Sequence, residues 1–477
     1  MRGISRRELF GMGIGAAAVS VAPFTFAAPA SALQIGSQGA GASAVARDYT
    51  RSITGARQFL NFMMDAYATG DTVRLIQSYS DQNGLESTAF TYDNAVSIHA
   101  YLLSGDGDSL SRAEVIGNGL IYAQSTNFPV NDGRFAQAYF VNTEATDGSG
   151  AYITPAAFPF YFYTSAVGDQ AWAGMALSQL YRRTGKEKYL TAAIKVANWI
   201  VTNTYSTIGP GGYSFGTNIN PSNQSVPSTN GKSTEHNIDT YAFFTMLDEL
   251  THHGKASNGQ TWTSLAQHAL SFVIAMYNAA GGYFYTGTLS DQATINPSPI
   301  PEDCQTWSYL ALLDNRYKGT IDWAIANLQT TDTPASRDSN LTASEMITGM
   351  VFDTASLSTP TYDPTAVWLE GTAHTIAALV ARAIAGRDAL PKLFEDLTTA
   401  IKFLDNEQTA QSELGADQTV GGKAIPAGEG LLASTSVMDT GFGYTYGPAL
   451  HIGATGWYLA AALGGNPFQL GYISIPR

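Results

Sequence analysis

The sequence predicts an all-α fold, a closed ring of six helical hairpins, on three observations. A polar cluster carrying Asp, Glu or His recurs along the chain, followed each time by an Ala-rich apolar helix and, except in the last unit, by a second, amphipathic helix. The markers Asp93, Asp169, Glu235, Asp303, Glu370 and His451 stand 76, 66, 68, 67 and 81 residues apart. The last unit lacks its amphipathic helix, and a spare one over 53–67 precedes the first. A ring closed by that permutation brings all six polar clusters to one rim, where chemistry is expected. The alternative is an open helical solenoid, but its repeats are shorter and more uniform.

Residues 1–32 read as an export signal. Ser5-Arg6-Arg7-Glu8-Leu9-Phe10 holds a twin-arginine pair ahead of a Gly/Ala-rich apolar run, and Ala30-Ser31-Ala32 is an A-x-A cleavage site. The run is too short, and too rich in Gly, Ala and Pro, for a spanning helix. A periplasmic or extracellular protein is expected. Residues 33–47, rich in Gly, Ala and Ser, read as a disordered leader. Residues 48–477 read as one catalytic domain, because the repeat runs through them without a linker.

Each hairpin has its own signals. The first reads as a helix over 95–103, Gly105 and Gly107, then an outer helix over 111–123. In the second, Trp172, Met175, Ala176, Gln179 and Leu180 follow helical spacing and Gly185 sits where a C-terminal cap belongs. Its outer helix shows Tyr189, Ala193, Ala197 and Ile200 on one face. The third reads as 240–250, Gly254 and 265–276; the fourth as 307–313 and 321–328; the fifth as 373–384, Gly386 and 393–404. The sixth inner helix, 454–463, takes 53–67 as its outer partner. Long segments rich in Gly, Tyr and Phe, such as 211–227 and 281–301, return from outer to inner helices, and long ordered loops usually carry function.

Composition excludes several classes. The net charge is −14, and −16 once residues 1–32 are removed. Such a chain repels phosphate backbones and anionic lipid, so neither nucleic acid nor a membrane surface is an expected partner. Cys304 is the sole cysteine, which rules out an intrachain disulfide and a cysteine metal site. The seven histidines form no H-E-x-x-H, and no phosphate-binding glycine loop is present. No metal and no cofactor are expected.

Helix N-termini at one rim offer unpaired N–H groups and positive dipole ends, so any single carboxylate there could be a helix cap. Several converging carboxylates are harder to explain that way. Like charges held close push one pKa upward and make an acid that is protonated near neutral pH.

Three stretches on this plan resemble a known family. They are Ser233-Thr234-Glu235-His236-Asn237-Ile238-Asp239, Val367-Trp368-Leu369-Glu370-Gly371-Thr372-Ala373 and His451-Ile452-Gly453-Ala454-Thr455-Gly456-Trp457-Tyr458. Together they look like the six-hairpin glycosidase superfamily, the (α/α)6 toroids. The resemblance spans roughly residues 50 to 470. It implies a carbohydrate-active site at the rim, in a superfamily of glucanases, other glycosidases, polysaccharide lyases and sugar epimerases. Most of its hydrolases invert.

A secreted glycoside hydrolase acting on a polysaccharide or oligosaccharide is therefore the expected function. Such hydrolysis needs one carboxylic acid to protonate the leaving oxygen and one carboxylate to activate water or attack carbon. Glu235 is the expected acid, with His236 and Asp239 around it, and Glu370, between Trp368 and Gly371, the expected partner. Asp93, Asp169 and Asp303 are reserves, and Glu429 or Asp439 could supply the base instead. Tyr92, Trp172, Trp307, Trp368 and Tyr444 are candidate stacking platforms for sugar rings. A lyase or epimerase on the same fold would lean on His236 or His451 with Tyr444. A lyase acting on uronic acids also needs a cation, and Lys232 is the only one near the markers. A non-catalytic glycan-binding toroid is the third reading.

Overall fold

The computed structural model describes residues 49–67, 73–126, 130–141, 154–155, 164–220, 224–228, 230–342 and 345–472. Residues 1–47, with the expected signal and leader, lie outside them. Twelve helices follow in order: α1 (Thr50–Asp65), α2 (Thr91–Ser104), α3 (Gly107–Ser125), α4 (Val167–Thr184), α5 (Glu187–Thr204), α6 (Thr234–Leu250), α7 (Trp262–Ala275), α8 (Asp303–Leu312), α9 (Gly319–Leu328), α10 (Leu369–Ala385), α11 (Leu390–Glu413) and α12 (Ile452–Ala462). None is long and apolar enough to cross a membrane among the described residues.

The even-numbered helices form the inner wall. Each packs on the next, α2 on α4, α4 on α6, α6 on α8, α8 on α10 and α10 on α12, and α12 packs back on α2. Their composition explains the placement. In α12 every residue from Ile452 to Ala461 is buried, and a helix apolar on all sides belongs inside a protein. The outer helices are one-sided: α5 buries Tyr189, Ala193, Val196, Ala197 and Ile200 and leaves its lysines in solvent. Helix α1 takes the outer position beside α12. Ser52 hydrogen-bonds Gln411 of α11 and, at 2.5 Å, Tyr458 of α12, while Asp65 pairs with Arg112 of α3 at 3.0 Å. The chain is an (α/α)6 toroid closed by its first and last helices.

A collar of short strand pairings fixes where the inner helices start. The lead-in to each is tied to a return segment elsewhere in the ring: Phe90 to Ala138, Ala166 to Gly216, Ser233 to Gly287, Pro301 to Asp353, Trp368 to Met350 and Ser434, and His451 to Leu431 and Tyr79. Two of these pairings admit only glycine. A Cβ on Gly216 (φ 142°) would stand 2.1 Å from Ser165 O, and one on Gly287 (φ 151°) 2.0 Å from Lys232 O. The aromatic loops 211–227 and 281–301 thus form much of the collar.

The opposite end is sealed by the segment after α12. Asn466 donates to Leu310 O at 2.8 Å, and Gln469 to Leu310 O and Ala311 O, both at 2.9 Å. These are carbonyls at the C-terminal end of α8, which have no partner inside their own helix. Phe468 packs its ring 5.2 Å from Trp172 and 5.4 Å from Trp307, filling the axis of the barrel.

The inner helices begin two to six residues earlier than the apolar spacing predicts. The polar clusters do not precede the helices but form their first turns: Asp93 and Asp169 are third residues, Glu235 and Glu370 second, Asp303 first, and His451 the N-cap.

Candidate active site

Few of these rim acids cap their own helices. Ser233 caps α6 by accepting from His236 N, and His451 Nδ1 caps α12 by accepting from Ala454 N at 3.2 Å. Of the marker carboxylates, only Asp303 accepts from its own first turn, at Cys304 N, among the described residues. The others face one another in two groups of opposite character.

The first group lies on α4, α6 and α8. Glu235 keeps 26% of its side chain exposed, with His236 Nε2 3.4 Å from Oε2. Burial raises its pKa well above the ordinary carboxylate range, and Asp303 and Asp169 push it further. Asp239, one turn along α6, is fully buried with neither oxygen hydrogen-bonded. Burial and Glu235 raise it as well. Asp303 is pushed up to about 6 by burial and Glu302. Asp169 goes to about 8 by burial and Asp93, and Asp353 to about 7, mainly by burial. Every resolved carboxyl shift on this side of the rim is upward, so this side favours bound protons. Burial also drives His236 down to about 4, so its imidazole is neutral.

The second group runs across α8, α10, α12 and α2. Thr375 Oγ1 donates to Glu302 Oε1 at 2.7 Å and His374 Nδ1 meets Glu302 Oε2 at 3.2 Å. His374 Nε2 faces Glu370 Oε1 at 3.7 Å. Tyr92 donates its hydroxyl to the same Oε1 at 2.5 Å and accepts from Trp457 Nε1 at 2.8 Å. His451 Nδ1 lies 3.6 Å from Glu370 Oε2, and its Nε2 lies 3.1 Å from Asp93 Oδ1. Tyr79 stacks on the His451 ring at 4.2 Å. Burial works against charge here too, but His374, His451 and Tyr92 hold the Glu370 pKa below its ordinary value. For His451, burial is outweighed by Asp93 and Glu370, which raise the pKa. Its helix-capping Nδ1 must stay unprotonated to accept, so the cap opposes that charge.

Small residues let these groups approach. A Cβ on Gly168 would stand 2.6 Å from His236 Cδ2 and 3.2 Å from Glu235 Oε1, and one on Gly453 2.7 Å from Asp93 Oδ1.

Several expected roles are corrected. Trp172 is fully buried in the barrel axis, and Trp307 and Trp368 are nearly so. All three pack on other rings, so they present no open face for a sugar in this structure. Tyr92 is a partner of Glu370 rather than a platform. Tyr444 differs: its residue is 50% exposed on the hairpin that pairs Met438–Asp439 with Thr445–Tyr446. Its ring packs 6.3 Å from Phe352 and 5.9 Å from Tyr446, and Asp303, Glu235 and Asp353 all raise its phenol pKa after burial, so it lies within electrostatic range of the first group. Asp439 accepts from Thr359 Oγ1 at 3.0 Å and Gly441 N at 2.9 Å, so its carboxylate shapes that hairpin. The backbone of Glu429 lies against Gly55 of α1, and its carbonyl accepts from Gln411 Nε2 at 2.6 Å. Lys232 donates to Ile208 O and Gly211 O and gives the rim no cation. Among the described residues no group of three or more His, Cys, Asp or Glu side chains is arranged to hold a metal ion.

Glu302, His374 and Asp353 were not selected from the sequence. His374 had a signal: it lies four residues after Glu370 and so on the same helix face. Asp353 lies in a loop and had none.

Neither a family model nor a curated protein matches the chain. Solved structures do. A family 76 glycoside hydrolase from a bovine Bacteroides thetaiotaomicron strain aligns with TM-score 0.51 and 12% identity over 87% of this chain and 77% of that one. An inactive variant of an alpha-1,6-mannanase from Salegentibacter sp., in complex with alpha-1,6-mannotriose, aligns at 0.50 and 13% over 87% and 99%. The cellobiose 2-epimerase of Spirochaeta thermophila aligns at 0.53 and 11% over 87% and 97%. The likeness bears out the (α/α)6 toroid fold. At these identities the likeness carries the architecture, and the chemistry has to be argued from the rim itself.

Proposed function

We propose that the protein is an exported glycoside hydrolase that cleaves an oligosaccharide or polysaccharide with inversion. Glu235 is the general acid and Glu370 the carboxylate that activates water. The reading rests on the opposite surroundings of the two glutamates: burial, Asp303 and Asp169 push Glu235 upward, whereas His374, His451 and Tyr92 hold Glu370 down. That is the division of labour acid–base glycoside cleavage needs. Glu370 is only 3% exposed, which suits a base that works through a single water rather than by touching the sugar. Tyr444, half-exposed and within electrostatic range of Glu235, is the sugar-stacking residue. Asp169 and Asp303 border the acid and take substrate hydroxyls, while Asp93 and His451 hold the far side of Glu370.

A second reading has its own support. His374 and His451 flank Glu370, and a pair of imidazoles around a carboxylate also suits the proton transfers of a sugar epimerase. The likeness to the cellobiose 2-epimerase is consistent with it.

A glycan panel decides between them, with manno-oligosaccharides included because the mannanase was solved with one. Hydrolysis predicts new reducing ends, inverted anomers by NMR, and a loss of about 10²–10⁴-fold in Glu235→Gln. Products of unchanged length but altered sugar identity would replace the hydrolase by the epimerase. Binding without turnover would leave a glycan-binding toroid.

A further inference from the structure

Glu302 occupies the N-cap position of α8 but does not cap it. It is fully buried, where a carboxylate without partners would be heavily penalised. Its partners come from the neighbouring helix α10: Thr375 Oγ1 on one oxygen and His374 Nδ1 on the other. The far nitrogen of the same ring faces Glu370. Carboxylate, imidazole and carboxylate thus stand in line, none more than 3% exposed.

A neutral imidazole has one N–H and one lone pair. Set between two carboxylates, it would turn the lone pair on one of them. Only the imidazolium presents an N–H to both. Among the other described groups around Glu370 only His451 can carry a positive charge, and its helix cap opposes it. Tyr92, Tyr79 and Tyr446 are phenols, Asp93 carries the wrong sign, and His451 uses Nδ1 to accept from Ala454 N. Asp303, beside His374 on the α8 side, is also acidic.

We propose that Glu302 is a positioning residue: it holds His374 as an imidazolium in one orientation and thereby keeps Glu370 ionised. The pKa directions agree. Burial disfavours charge on both, yet Glu302 and Glu370 raise His374, and His374 leads the groups that lower Glu370. The inference rests on the proposed role of Glu370 as the base, but its geometry stands without it.

The test is NMR on protein labelled at the histidine nitrogens and the glutamate carboxyl carbons, with no substrate present. In the wild type at neutral pH, His374 is expected to be doubly protonated. Glu302→Gln keeps the side-chain shape and removes the charge. It should leave His374 singly protonated and raise the Glu370 carboxyl pKa by about 1–3 units, the usual effect of losing a nearby opposite charge. The acidic limb of kcat/KM should move up with it while KM changes little, and Glu302→Asp should restore the His374 proton. A neutral His374 in the wild type overturns the proposal, and that measurement stands even where Glu302→Gln does not fold. So does an unmoved Glu370 in a folded Glu302→Gln that has lost the His374 proton. Absence of glycosidase activity would sink the proposed function instead and leave these shifts as they are.

Discussion

Glu407 belongs to the outer helix α11, yet it is fully buried and neither carboxyl oxygen has a hydrogen-bond partner. Burial raises its pKa well above the ordinary value. Glu407 and Asp405 both raise the phenol pKa of Tyr458 on α12. Burial without a partner favours the neutral acid in the folded protein, whereas the unfolded chain ionises it above about pH 4.3. Folding therefore takes up a proton. The stability tied to it is complete below the unfolded pKa and is lost as pH rises towards the folded one, at about 1.4 kcal/mol per pH unit. Glu407→Met keeps a similar length and carries no proton, so that slope disappears. It also removes two buried unpaired oxygens, which cost of order 1–3 kcal/mol per unsatisfied group. The assay is a set of thermal melts of both proteins between about pH 5 and 8. A change of 1 kcal/mol moves Tm by about 2–4 °C in domains of 150–250 residues and by less in larger ones. The variant's advantage should therefore widen by roughly 2 °C for each pH unit. A difference that stays constant across that range would show that Glu407 is already ionised or hydrated in the folded state. Glu407→Gln should show the same pH dependence as the methionine variant, since it also lacks the proton.

Gly168→Ala drives a Cβ into His236 and towards Glu235. Overpacking of about 1–3 kcal/mol, partly offset by the better helix propensity of alanine, should leave a folded protein. Its turnover should fall about 100-fold if the acid shifts by an ångström, and unchanged kinetics would show that the contact is unimportant. Tyr444→Ala should leave Tm in place and weaken glycan affinity roughly two- to tenfold, the scale of one aromatic contact; equal affinities measured by calorimetry would remove it from the site. Arg6→Lys with Arg7→Lys should leave precursor in the cytoplasm, and normal export of that double variant in a fractionation experiment would favour the general secretory route.

The ring was legible because its signal is repeated. Six markers at near-equal spacing place six inner helices, and the spare helix at the start is needed only if the ring closes. The boundaries were less legible. Apolar periodicity begins only after residues such as Thr234 and Glu235, which are helical but polar because they line the rim. Glu235 and Glu370 stand out as acids at those markers. Glu302 does not, since nothing local says that the residue before Asp303 turns to a neighbouring helix. Trp172 shows the converse limit. A tryptophan in the first turns of an inner helix can point to the mouth or down the axis, and only the packing against Phe468, nearly 300 residues away, decides. Glu407 lies in the polar run Asp405-Asn406-Glu407-Gln408, which reads as solvent-facing until α12 is laid against it.

The closure of the ring has a consequence for the order in which the molecule can be made. Ser52 meets Gln411 across 359 positions and Tyr458 across 406. Synthesis proceeds at about 5–20 residues per second, so Tyr458 emerges roughly 20–80 s after Ser52. Through that interval the face of α1 that will meet α11 and α12 has nothing to pack on. Joining ends so far apart also requires the loop-closure entropy to be overcome before the contact rewards it. The nascent chain can build its hairpins one by one, but it cannot finish the barrel until nearly the whole sequence exists. Of the described helices, the one made first is among the last to have its packing completed.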